Sequence, residues 1–439
     1  MPPHARPSKT IRWLSAWAAG AVLGLLGRVA VSQAMPAESE VTASSTSADS
    51  SPKGALDHDR FSVSPGSLWR GGAGQGAWWW QVNFRKPRSI GAILQIHGDD
   101  PLNLRNAPEH YVWQFSHDGT SWQDWNETAV SRERRLFRIH RLRKTHQVRY
   151  VRLVVFRCVG SAPSLREVEF YAEPAATIEF PDWVAIVNTG EEGSRLPSPQ
   201  GFVDLVRGCP GWDRTQFQHV PHGQFDEKFL SIEPHPLCAL LTGSTLDWCQ
   251  LKREPWRGVE QVLKNRNLPM WGACGGAQIL AILDETGVDK PWDCPRCRDP
   301  RNPKLPIYTH IGHTGQTPCG VYTKNVWERG RYEVKIVARD PVFQAVPNPF
   351  PVIESHVGQI AYVPKGWVRV VTKGPQGLTE NQCLRVVDRY IYAAQFHIEA
   401  PGTPETSRLV MSNFLAAAKR WGGYNPRGQP VPPPEPIAP

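Results

Sequence analysis

The chain has 439 residues, of which 40% are hydrophobic and 21% charged, with 50 Lys and Arg against 41 Asp and Glu for a net charge of +9. These values exclude a polytopic membrane protein and a wholly disordered chain, and the length implies two or three domains at about 150 residues each. A surplus so diluted permits anionic partners without favouring nucleic acid. The 18 Trp and 41 Pro point to short strands and ordered loops rather than a helical bundle.

Residues 1–34 read as a targeting segment. Arg6, Lys9 and Arg12 precede an uncharged, mostly apolar run from Trp13 to Gly27, broken by Arg28. That run is short of the roughly 20 residues of a membrane span, and Ser32-Gln-Ala34 fits a cleavage site. A signal peptide or an uncleaved N-terminal anchor are the two readings, and both place the rest outside the cytoplasm: periplasmic, secreted or anchored. The nine cysteines then invite disulfides. Residues 35–57, rich in Ser, Ala, Thr and acidic residues without apolar periodicity, read as a flexible linker.

From 58 to 175 the pattern is strand-like. Residues 80–84, 90–96, 111–115, 148–156 and 168–171 alternate or are β-branched, and Lys86-Pro87, Gly98-Asp-Asp-Pro101 and His117-Asp-Gly119 supply turn signals. Short alternating strands at this spacing predict a β-sandwich. Trp79-Trp-Gln-Val, Ser116-His-Asp-Gly-Thr-Ser-Trp122, Arg149-Tyr-Val-Arg-Leu and Leu165-Arg-Glu-Val-Glu-Phe together resemble a discoidin-type (coagulation factor type C) domain. The resemblance implies a galactose-binding-like jelly roll that uses loops at one end for ligands. Asp118-Gly119 is expected to make a tight turn and Trp122 to pack across the sandwich. The matching loops are 64–76 and 99–109, with Trp69, Arg70, Asn103 and Arg105 as candidate glycan contacts. Residues 60–173 hold 17 Lys and Arg against 10 Asp and Glu, most of the chain's surplus. The sandwich is therefore either a tether to a carbohydrate or cell-envelope surface, or a spacer.

Residues 178–421 alternate apolar strands with helical stretches. Strands are expected at 183–188, 237–241 and 268–271, and helices at 201–207, 258–265 and 277–283. This pattern predicts a parallel α/β sheet. Gly272-Ala-Cys274-Gly-Gly276 lies between a strand and a helix. Small neighbours permit a sharp nucleophile elbow, the helix N-terminus favours the thiolate, and the Gly275 amide can face a developing oxyanion. Strand 391–397 ends in His397, with Glu399 two residues on and on the same side. His397 can take the thiol proton and Glu399 can orient the ring.

Gly272-Ala-Cys274-Gly-Gly276-Ala-Gln278 and Gln395-Phe-His397-Ile-Glu399 resemble the two motifs of class I (triad) glutamine amidotransferases. The resemblance implies a flavodoxin-like α/β fold, a Cys274–His397–Glu399 triad, thioester chemistry at a γ-glutamyl or similar amide, and a closing helix over 409–420. It also implies oxyanion donors in Gly275, Gly243 and Ser244 and substrate contacts from Gln278, Ser355 and His356. The chain departs from the family at three points. Thr242-Gly-Ser-Thr245 stands for Ser-Gly-Gly-Pro, Glu354-Ser-His-Val-Gly358 lacks the acidic residue of Ser-His-Gly-Asp, and Ile398 replaces a proline. With no synthase domain in 178–421, the expectation is a self-contained hydrolase or a subunit beside a separate synthase. The alternatives are a non-catalytic surface or carbohydrate-binding protein and a γ-glutamyl peptidase. The partners expected are a small amide, glutamine or a γ-glutamyl compound, and a glycan, but no nucleic acid.

Residues 284–320 read as an insertion after the elbow helix. Cys294, Cys297, His310 and His313 have the spacing of a structural zinc site, against the alternative of a surface loop with a disulfide or free thiols. The triad chemistry itself requires no cofactor. The tail 422–439 is Pro-rich.

Overall fold

The computed structural model describes residues 39–74, 76–98, 100, 102, 104–190, 199–245, 247–265, 268–292, 306–311, 326–424 and 435–436. The expected targeting segment, 1–34, lies outside the described residues, and among those described no helix is long and apolar enough to cross a membrane.

The first unit is an antiparallel sandwich of β1 (Glu40–Ala43), β2 (Trp69–Arg70), β3 (Trp78–His97), β4 (Pro108–Ser116), β5 (Gln123–Asp124), β6 (Val130–Ser131), β7 (Phe137–Cys158) and β8 (Ser164–Tyr171). The strand path is β2-β8-β3-β7-β4-β5, with β1 added on β3 and β6 on β4. Two strands expected at 80–84 and 90–96 are one long strand, β3. Lys86-Pro87 falls in an irregularity of the β3–β7 register between Asn83 and Arg88, not in a turn. Bulges bend strands, so β3 and β7 each serve both faces around a core holding Trp80, Trp113 and Trp125.

Three expectations need correction here. The linker expected over 35–57 is structured from residue 40: β1 pairs with β3 (Glu40↔Asn83 to Ala43↔Trp80). The Trp80 indole donates to Pro52 O at 2.9 Å and the Trp69 indole to Ser45 O at 2.9 Å. Backbone pairing and tryptophan N–H groups order this segment, and neither leaves an apolar period in it. Second, Trp122 does not cross the core. It lies partly exposed, with the Arg152 guanidinium 4.0 Å from its ring centroid, and Trp125 takes the buried place. Third, among the cysteines other than Cys274, those at Cys158, Cys209, Cys238 and Cys383 are free thiols. Burial pushes the half-buried Cys158 and the core Cys209 each up to about 11, the direction expected of inert thiols.

The second unit contains β9 (Trp183–Asn188), α1 (Gln200–Arg207), β10 (Gln216–Pro221), α2 (Glu227–Leu230), β11 (Cys238–Leu241), α3 (Arg257–Asn265), β12 (Met270–Ala273), α4 (Gly275–Glu285), β13 (Tyr308–His310), β14 (Glu328–Ile336), β15 (Ala338–Arg339), β16 (Phe350–His356), β17 (Gly358–Ile360), β18 (Trp367–Lys373), β19 (Asn381–Val386), β20 (Ile391–Ala394), α5 (Glu405–Trp421) and β21 (Glu435–Pro436). The large sheet runs β10-β9-β11-β12-β20-β19-β18-β14-β16. Its five parallel strands have the flavodoxin-like order 2-1-3-4-5, with β9, β11, β12 and β20 wholly buried between helical layers. The other four strands extend it antiparallel, and β16 bends back so that Ile353 bridges His397. β13, from the expected insertion, pairs with β17.

The two units share a core. Ile96, Leu104, Leu136 and Phe137 of the sandwich pack with Trp183, Phe225 and Phe229. Arg135 is buried between them. It donates to Phe137 O at 2.9 Å, to Pro234 O at 2.7 Å and to Phe229 O, and stacks on the Trp183 and Phe229 rings. The Ile139 N–H donates to Glu233 O at 2.8 Å.

Candidate active site

The C-terminal ends of parallel strands leave loops that converge over the sheet edge. Cys274 follows β12 and caps α4 with φ 50° and ψ −107°, a conformation that non-glycine residues rarely adopt. The turn is held by Cys274 N–H donating to Ala394 O at 2.8 Å and Gln278 N–H donating to Cys274 O at 3.0 Å. The thiol is 5% exposed and lies 3.9 Å from Ser355 O.

His397 comes from the end of β20, where its N–H donates to Ile353 O at 2.9 Å. Its Nδ1 is 2.7 Å from Glu399 Oε1, which leaves the other ring nitrogen for Cys274. Burial works against the imidazolium, but the Glu399 charge and then Cys274 outweigh it and hold the His397 pKa well above the usual histidine range. Three side chains from two loops thus form an acid–imidazole–thiol line.

The loop after β11 lies against the elbow. A Cβ on Gly275 would sit 2.5 Å from Ser244 N, and one on Gly243 would sit 2.9 Å from His397 Cε1 and 3.7 Å from Cys274 Cβ. Both positions therefore need glycine for close approach. Ser244 of this loop thus lies against the backbone of Gly275, the residue that follows the nucleophile.

The sequence model of the F5/8 type C domain family matches residues 40–168, and that of class-I glutamine amidotransferases matches 254–417. The chain carries a discoidin-type domain followed by a class I glutamine amidotransferase domain. A stretch of 85 residues is 29% identical to a GMP synthase (glutamine-hydrolyzing) subunit of Methanoculleus marisnigri, covering 19% of this chain and 44% of that protein. The chain thus spans under half the length of that curated relative. A solved GMP synthase subunit protein from Thermoplasma acidophilum is 16% identical, with 56% of this chain and 98% of that chain covered and a TM-score of 0.41. The family 32 carbohydrate-binding module of Clostridium perfringens NanJ, in complex with galactose, is 14% identical, with 32% and 98% covered and a TM-score of 0.27.

Within the amidotransferase domain, the three expected substrate contacts have different places. Ser355 is exposed beside the thiol. Gln278 is buried and engaged: its Oε1 accepts from the Trp248 indole at 2.9 Å and its Nε2 donates to Gly358 O at 3.0 Å. His356 points behind the strand, where Nδ1 donates to Gly358 O at 2.9 Å and Nε2 lies 2.9 Å from Glu354 and 3.2 Å from Glu328. Gln278 and His356 are both held by the framework around the site. The position at which the family carries its acidic residue is Gly358, and a Cβ there would meet the Tyr308 ring at 2.5 Å. β13 brings that ring in, and nothing in the local sequence of 306–311 signals it.

Burial opposes a charge on His356, but its bonds to Glu328 and Glu354 push its pKa up to about 10. Of the two carboxylates, burial raises Glu354, whereas at Glu328 the burial cost is outweighed by the nearby His356 and by the Leu378 and Thr379 N–H donors, which lower its pKa. A base with a raised folded pKa stabilises the native state fully below its ordinary value of 6.5 and loses that contribution as pH rises through about 10. The urea midpoint is thus expected to fall between pH 7 and about 9.5, and His356→Gln is expected to flatten that slope. Equal slopes in both proteins would contradict the charged assignment.

In the discoidin-type domain, Trp69 is corrected as a glycan contact: it is 0% exposed, because its indole faces Ser45 O inside the sandwich. Arg70 bridges Asp49 at 2.8 Å. Arg105 is exposed, and its carbonyl accepts from Gly160 N. Asn103 lies outside the described residues. The loop carrying Arg105 partly faces the amidotransferase domain, since Leu102 O accepts from His219 Nδ1 at 3.0 Å.

Of the expected zinc ligands, Cys294, Cys297 and His313 lie outside the described residues. His310, on β13, has Nε2 3.9 Å from Asp247.

Proposed function

We propose that the chain is an exported cysteine-dependent amidohydrolase of the class I glutamine amidotransferase type. The observation that carries this reading is the meeting of the strained Cys274 elbow with the His397–Glu399 pair at 2.7 Å. Cys274 attacks a γ-glutamyl or similar amide carbon, His397 passes the thiol proton to the departing amine, and water then hydrolyses the thioester. Ser244 and Gly275 N–H groups receive the oxyanion in both steps. The Tyr308 ring fills the place beside Gly358, so a γ-glutamyl compound is a candidate substrate alongside free glutamine. A separate synthase subunit is a candidate recipient of the ammonia. The discoidin-type domain serves as a tether to a glycan or anionic envelope surface. Its exposed end holds Arg105, Val159 and Phe156, the last in ring contact with His110.

Incubation with 6-diazo-5-oxo-L-norleucine, and in parallel with iodoacetamide, tests the enzyme reading. The expected result is one adduct per chain, at Cys274, by peptide mass spectrometry. Alkylation of the other thiols with Cys274 untouched would support a non-catalytic binding protein instead.

A further inference from the structure

Thr189 is the residue just beyond β9, buried at 0% exposure and absent from both motifs. Its hydroxyl lies 2.7 Å from Thr242 O and 2.8 Å from Gly243 O, and 3.2 Å from the Thr242 hydroxyl. The Thr189 N–H donates to Thr242 Oγ1 at 3.1 Å, and Thr242 N–H donates to Val187 O at 3.1 Å. One side chain therefore shares its proton between two successive carbonyls of the loop beside the nucleophile, a three-centre bond.

In a trans peptide the C=O and the next N–H point to opposite sides. With Gly243 O turned to Thr189, the Ser244 N–H must face away from Thr189. Ser244 N and Cβ both lie against Gly275. Glycine at 243 leaves the preceding dihedrals soft, so this peptide would otherwise be free to rotate. We propose that Thr189 is a positioning residue that pins the Gly243–Ser244 peptide with its N–H aimed at the oxyanion. This rests on the reading of Cys274 as an acyl nucleophile. In that step Sγ bonds to the amide carbon and the carbonyl π pair moves onto oxygen. It returns as the C–N bond breaks, the amine leaving with the proton that His397 took from the thiol. The pinned amide matters only while that oxygen is negative.

Thr189→Val removes the hydroxyl at nearly constant shape, and Thr189→Ser keeps it. With L-glutamic acid γ-(p-nitroanilide) as probe, Thr189→Val is expected to lower kcat roughly 10–100-fold with little change in KM. Thr189→Ser should stay within about threefold of wild type. Alkylation of Cys274 by iodoacetamide forms no oxyanion and should stay within about twofold in all variants. Wild-type kcat in Thr189→Val, or a matching loss of iodoacetamide reactivity, or no rescue by Ser, would overturn the proposal. If the Val variant does not fold, Thr189→Ala is read by the same criteria. A wild-type protein that releases no p-nitroaniline and forms no acyl-enzyme would overturn the nucleophile reading, and this proposal with it. That failure shows before any substitution is made.

Discussion

Cys274→Ala is expected to abolish amide hydrolysis, with a loss of about 10⁴–10⁶-fold, and His397→Ala to match it. The two act as one unit: without the imidazole the thiol proton has no acceptor, and without sulfur there is no thioester. Glu399→Gln keeps the 2.7 Å contact to Nδ1 but not its charge, and the charge is the main opposition to the burial cost of the imidazolium. Its loss is expected to be smaller by one to two orders of magnitude, roughly, and to come with a lowered His397 titration in the pH profile. Ammonia release or p-nitroaniline absorbance reads all three. Turnover by Cys274→Ala at the wild-type rate would show that the reaction does not pass through this sulfur.

Arg135→Ala is expected to destabilise the whole chain by about 3–5 kcal/mol, since it takes the guanidinium donors from the carbonyls of Phe137 and Phe229 and leaves Pro234 O with only the Trp183 indole in a closed interface. Burial, with Arg138 nearby, lowers the Arg135 pKa to about 9, so the guanidinium remains charged at neutral pH. Arg135→Lys should be milder than Ala yet short of wild type, because one ammonium cannot reach three carbonyls spread over two domains. Urea unfolding followed by tryptophan fluorescence and by Cys274 accessibility tests this. The expected outcome is a lower midpoint and, for Ala, separation of two transitions that coincide in the wild type. A change below about 0.5 kcal/mol would mean that water replaces the guanidinium. The consequence is that unfolding of the sandwich and of the amidotransferase domain should be coupled through this shared core.

The sequence alone determined the domain order, the α/β class and the residues of the proposed catalytic line. The reason is that an elbow is a local object. A strand, a small residue, cysteine and glycine must be adjacent in the chain for Cys274 to adopt a φ of 50°, and His397 and Glu399 are two residues apart on one extended segment. Helix α5 and strand β9 were legible for the same reason, from apolar spacing within one element. What only the tertiary structure decided are the contacts between segments far apart in sequence. Thr189 meets the 242–243 loop across 53 residues, Glu328 meets His356, Tyr308 fills the place beside Gly358, and Ser45 and Pro52 order β1's surroundings through two indoles. Each uses a hydroxyl, a ring or a backbone carbonyl that any surface loop also possesses. No local pattern distinguishes them until the fold removes water from around them and makes an unpaired polar group costly. Trp69 follows the same rule in the opposite sense. A tryptophan in a ligand-loop position looks exposed by sequence, and burial of its face with its N–H satisfied by Ser45 O places it in the core instead.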